Sequence, residues 1–170
     1  MNKKAFTLTE LIVVLSILFI LVAIIVPSVT NLIQKGRDAR RLADMNAVQV
    51  ALEFYYEANG AYPPSDGQGC APWDTPGDGD FIQPLKTGGY IPSNIRDPVT
   101  NNNCANYRYN RYAAGSGGCA AALGAFYVLG IVDMETSLGT YLDSPGFSCT
   151  TNWGLPSGHE WVTGRYEQIF

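Results

Sequence analysis

The sequence predicts an α+β chain in which one long N-terminal α-helix, transmembrane in its first half and amphipathic in its second, packs on a small antiparallel β-sheet head. Three observations carry this expectation. From Leu11 to Gln34 no side chain ionises, and Leu11 to Val26 is apolar apart from Ser16, which supplies the roughly 20 apolar residues that a bilayer core requires. The helical pattern then runs on through residues 35–58 without proline. Beyond it, glycine- and proline-rich connections separate short β-rich runs.

The helix carries a lone acid, Glu10, at the front of its apolar run. A charge well inside lipid costs about 2.5–3.5 kcal/mol even on mild scales, so this carboxylate needs a reason. A local one exists, because Thr7-x-x-Glu10 fits a capping box and an acid suits a first helical turn. Pro27 lacks a backbone donor and is expected to bend or break the helix near the outer end of the run. Continued to Ala58, the helix would be about 80 Å long, so half of it must project from a small head. Beyond the run, Leu42, Met45, Val48, Leu52 and Tyr55 form one apolar face, and Ala47, Val50, Ala51, Phe54 and Ala58 form a second. Asn46, Gln49, Glu53 and Glu57 lie between them. Two such faces suit a helix covered by its own head on one side and by another chain on the other. One wide face in a single core is the plainer alternative. Asn59-Gly60 supplies a left-handed stop and Pro63-Pro64 forbids resumption.

The head is expected to begin with an irregular stretch, Ala61 to Asp80, followed by a short turn of structure within Leu85 to Pro92. Tyr107 and Tyr109 alternate with polar residues as in a strand, Gly124 to Val132 suits a central strand, and a third is expected around Glu160 to Thr163. Cys70, Cys104, Cys119 and Cys149 all follow the apolar run, and none has the spacing of a zinc or redox pair. They suit two disulfides in an oxidising compartment, with three pairings open, against a reading as buried thiols.

The 170 residues leave room for one soluble domain, and the net charge of −4 with few basic residues beyond Arg41 offers no cationic surface for nucleic acid. The single histidine, His159, completes neither a metal cluster nor a triad, so a surface or core position is expected. No catalytic constellation is visible, and an enzyme ranks last among the function classes. The tyrosines are read as packing residues. The N-terminus differs from a cleaved signal peptide: its charged region is very short, its apolar run long, and no A-x-A-like site follows. Lys3 and Lys4 favour a cytoplasmic N-terminus, but Lys35, Arg37, Arg40 and Arg41 pull the other way, leaving orientation open on charge alone.

Leader lysines, a small residue and then FTLTELIVVLSILFILVAIIVP resemble type IV prepilins and type II secretion pseudopilins. ALEFYYEANGAYPPS and LKTGGYIPSNIRDP are similar to the helix end and the following segment of major pseudopilins, so the resemblance spans roughly residues 3 to 112. It implies a cytoplasmic leader of residues 1–5, a transmembrane and polymerisation helix over 6–34, an amphipathic helix over 35–58 and a globular head over 59–170. It also implies cleavage between Ala5 and Phe6 by a prepilin peptidase that methylates the new amine of Phe6. The family usually has Gly before the cut, whereas this chain has Ala5. Glu10 matches the family's glutamate and Pro27 its helix proline, and both are assigned to assembly with Phe6. The implied partners are the peptidase, identical or related pilin subunits and an inner-membrane assembly platform. The implied location is the inner membrane as a single-pass precursor with the head outside the cytoplasm, then an extracellular pilus or periplasmic pseudopilus.

Asp133, Glu135 and Asp143 straddle a loop resembling the calcium-binding place of major pseudopilins, and hard oxygen ligands suit that ion. No EF-hand spacing is present, and a solvated acidic loop is preferred; no other cofactor is expected. The function expected is a structural subunit of a type IV pilus-like filament. The alternatives are a type II secretion pseudopilin and a non-assembling membrane-anchored binding module.

Overall fold

A computed structural model describes residues 7–67, 69–70, 72–92, 95–99, 104 and 106–167. Its first element, α1, runs from Leu8 to Asn59, 52 residues without interruption. Thr7 caps it as the sequence predicts, and Gly60 stops it in the left-handed conformation (φ 71°), donating its N–H to the Tyr56 carbonyl at 2.7 Å. A break at Pro27 does not occur: the backbone stays helical through it. Proline leaves only the carbonyl one turn back, that of Ala23, without its donor. Nearby, the Ser28 hydroxyl adds a bond to the Ile24 carbonyl at 3.5 Å.

The head is an antiparallel meander of five strands in the order β1 to β5: Gly69–Cys70, Trp73–Asp74, Tyr107–Tyr112, Phe126–Ile131 and Trp161–Tyr166. The short helix α2, Gln83–Thr87, lies between β2 and β3. The expected strands are therefore β3, β4 and β5, with β4 between the other two. The stretch expected to be irregular also contributes β1 and β2. Two-residue strands leave no period-two trace in a sequence, and here they are fixed by pairing Cys70 with Trp73 and Asp74 with Tyr109.

β4 is buried on both faces, which explains why its sequence is a continuous apolar run rather than an alternation. Tyr127, Leu129 and Ile131 face α1, where they meet Met45, Val48 and Leu52 together with Tyr107 and Tyr109. Phe126 and Val128 belong to a second cluster with Trp73, Trp153 and Val162, under a layer of loops. Gly130 shares that outer side and makes room for His159, since a Cβ there would lie 2.5 Å from the imidazole. His159 is thus a core residue, its Nδ1 2.9 Å from the Trp153 carbonyl. Of the three cysteine pairings, the structure joins Cys70 to Cys104 and Cys119 to Cys149, with Cα separations of 4.9 and 5.0 Å.

The helix faces divide nearly as expected. Met45, Val48 and Leu52 are buried, with Leu42 and Tyr55 packed at their edges. On the second face Val50 and Phe54 remain 55% and 62% exposed. Ala51 is the exception: it lies one turn from Val48 and Tyr55 and is buried in the head's core.

Candidate assembly site

Two parts of α1 carry polar chemistry beyond the apolar stripe that packs on the head. The first is its N-terminus. Thr7 donates its backbone N–H and its hydroxyl to the same Glu10 oxygen, Oε2, at 2.9 and 2.7 Å. In return the Glu10 N–H donates to the Thr7 hydroxyl at 3.3 Å. The capping box is thus complete, and the carboxylate has two donors within its own chain. Glu10 Oε1 has no bond among the described residues, so one oxygen stays available to a further donor. Ala5 and Phe6, the expected processing pair, lie outside the described residues.

From Leu8 to Ile33 no apolar side chain of α1 whose surroundings are described meets the head; Leu11, Phe19, Ile25 and Ile33 are all at least half exposed. Among the described residues this is the one helix long and apolar enough to cross a membrane. The side chain of Pro27 falls outside the described residues, so its assembly role rests on its position in the run.

The second part is the junction of helix and head, which sequence reasoning missed. Arg41 is only 2% exposed, and its guanidinium reaches Asp38 at 2.6 Å, Asp97 at 2.6 Å and Glu135 at 3.0 Å. Arg37 pairs with Glu135 through Nε at 2.7 Å and through Nη2. Asp38 also accepts the backbone N–H groups of Glu135 and Thr136 at 3.0 and 2.9 Å and the Thr136 hydroxyl at 2.7 Å. Burial alone would raise the Asp38 carboxyl, but these donors and Arg41 more than offset it and hold it below its usual range. Glu135 is held low chiefly by its bond to Arg37. The signal was present in the sequence: Asp38 and Arg41 continue the Met45, Val48 and Leu52 face one and two turns back.

Residues 1–26 match the family described as the prokaryotic N-terminal methylation motif. The type II secretion system core protein G of Vibrio cholerae serotype O1 (strain ATCC 39315 / El Tor Inaba N16961) is 33% identical over 100 residues, 59% of this chain and 68% of that protein. The chain belongs to the type IV prepilin and type II secretion pseudopilin family. Core protein G of Aeromonas hydrophila is 30% identical over 100 residues, 59% of this chain and 70% of that protein. That of Klebsiella pneumoniae is 29% identical over 97 residues, covering 57% and 69%. No solved structure matches the chain.

Membership gives the long unpartnered helix a context, since proteins of this family are structural. At the loop that resembles a calcium-binding place, the acid nearest α1 has other partners. Glu135 is committed to two guanidinium groups, and among the described residues no three acidic, histidine or cysteine side chains are grouped to hold a metal. Asp133, Glu135 and Asp143 are thus not among any such group. Arginine charge ties the 133–136 segment to α1. The arrangement also removes Arg37 and Arg41 from the free flanking charges. Lys35 and Arg40 remain exposed.

Proposed function

We propose that this prepilin-family chain is a structural subunit of a type IV pilus-like filament. The apolar half of α1 holds the precursor in the inner membrane with the head outside the cytoplasm. A prepilin peptidase cuts between Ala5 and Phe6 and methylates the new amine, and an inner-membrane platform then feeds the subunit into the polymer. Helices pack in the filament core and heads form its outer layer. The observation that carries this reading is the unbroken α1 whose described apolar side chains from Leu8 to Ile33 stay exposed, with a carboxylate at its start.

Glu10 has two successive roles in this scheme. Before assembly, the Thr7 donors satisfy it, which lowers the cost of holding it at the edge of the bilayer. After cleavage, the amine of a neighbouring subunit's Phe6 supplies a cation, and in a low-dielectric surrounding that pairing fixes the axial register of the added subunit. Similarity to core protein G supports the second reading, a pseudopilus of a type II secretion system. The same subunit chemistry serves both. A membrane-anchored module that never assembles is the third.

Glu10→Gln and Glu10→Ala separate register from capping. Gln keeps an acceptor for the Thr7 N–H but loses the charge. In cells whose wild-type chain makes filaments, both variants are expected to reach the membrane and fail to assemble. Restored assembly with Gln would reduce Glu10 to a helix cap, and assembly with Ala would remove it from the mechanism.

A further inference from the structure

The segment following the arginine clamp presents an apolar tip that the filament reading does not use. Leu138 is fully exposed, and Leu142 is 95% exposed. The tip is held in place, since Asp38 and Arg41 grip Glu135 and Thr136, and the Tyr141 N–H donates to the Glu160 carbonyl at 2.8 Å. Gly139 turns beside Leu155, itself 43% exposed.

Its position along α1 says what covers it. Glu135, Ser137 and Leu138 share a groove with Asn31, Gln34 and Lys35, on either side of Ile33, the last apolar residue before Lys35. With Glu10 at the inner edge, a hydrocarbon core of about 30 Å is crossed in roughly 20 residues, which puts Asn31 to Lys35 in the outer headgroup layer. Leu138 therefore lies at the level where lipid headgroups meet acyl chains. Lys35 is exposed in the same groove with no ion-pair partner among the described residues. An apolar side chain beside an unpaired cation matches the chemistry of an anionic lipid surface. Tyr141 packs against the core that covers α1 from Leu42 outward, so Leu142 sits shallower than Leu138, and the exposed Asp143 beside it limits the depth of entry.

We propose that residues 135–142 form a membrane-interface contact, with Leu138 entering the outer leaflet and Lys35 meeting lipid phosphate, which fixes the tilt of the head over the bilayer before assembly. This rests on the reading of Leu8–Ile33 as a membrane span. A neighbouring copy is the competing occupant.

The test uses the full chain, spin-labelled singly through Ile20→Cys, Leu138→Cys, Leu142→Cys or Ala122→Cys, in vesicles of phosphatidylethanolamine and phosphatidylglycerol. The native cysteines are all paired, and Leu138 is fully exposed, so its replacement leaves the core intact. Oxygen, which partitions into lipid, and a water-soluble nickel complex are the relaxing agents. Nickel access is expected to be several-fold lower at position 138 than at 122, with oxygen access raised, and intermediate at 142. A lipid-exposed 20 with 138 as open to nickel as 122 would overturn the loop contact alone. A water-exposed 20 would overturn the span and the contact with it. Protection of 138 from both agents, lost on dilution with excess lipid, would assign the tip to a second copy and overturn the proposal.

Discussion

Two buried titratable side chains make the head's stability depend on pH in opposite directions. Burial lowers the His159 imidazole to about 4 from 6.5, so the fold favours its neutral form. The unfolded chain then binds more protons between those values, and stability is lost as pH falls from 6.5 towards 4, by roughly 3 kcal/mol. Burial raises the Asp74 carboxyl to about 8 from 3.8, helped by the nearby Asp66 and Asp78. The folded state holds that proton more tightly, so stability is lost as pH rises from about 4 to 8. The two effects oppose each other below pH 6.5, and above it Asp74 acts alone. Urea midpoints are therefore expected to fall between pH 6.5 and 8, corresponding to about 2 kcal/mol. Asp74→Asn, which keeps an acceptor for the Ile82 N–H, is expected to flatten that limb. His159→Gln is expected to flatten the acid limb. Neither shift was legible in the sequence, because each depends on burial: His159 fits under Gly130, and Asp74 accepts the N–H of Ile82, whose φ of 50° is rare for a β-branched residue.

At the scale of elements, α1 meets the head through an apolar stripe and an ionic clamp. Leu52→Ala, at the centre of the stripe, is expected to cost about 2–5 kcal/mol in urea unfolding of the head. Arg41→Ala removes the cation from a site holding Asp38, Asp97 and Glu135, and about 3–5 kcal/mol is expected. Because Arg41 already pairs with these carboxylates, a calcium chelator is expected to leave the thermal midpoint of the wild-type chain unchanged. A fall would show an ion bound there. The disulfides tie the least regular segments, and reducing either is expected to cost about 3–4 kcal/mol for loops of this length.

These elements also show how far the sequence reached. The stripe of α1, its stop at Asn59-Gly60 and the strands β3, β4 and β5 follow from periodicity and turn chemistry, which are local. The short strands, the disulfide partners and the clamp depend on residues far apart, such as Arg41 with Asp97 and Glu135, and periodicity does not encode them. Pro27 does not break α1, because it removes a single bond from a helix with many others. The candidate site was legible at Thr7 and Glu10 because a capping box lies within one turn. The inter-subunit use proposed for Glu10 rests on family resemblance.

On the scale of the whole molecule, the chain is a head carried at one end of a helix on the order of 80 Å long, whose other half is apolar, with its described apolar side chains exposed. A structure of that form is suited to a bilayer first and to a polymer of like helices afterwards, with Val50 and Phe54 extending the exposed face into the head region. In the proposed scheme the transfer depends on creating an amine at Phe6 to meet Glu10. Intact mass spectrometry of the protein from native membranes and filaments tests this most directly. The account predicts a mature chain beginning at N-methylated Phe6 with both disulfides intact, and a chain in filaments that still carries Met1 to Ala5, or begins at another residue, would contradict it.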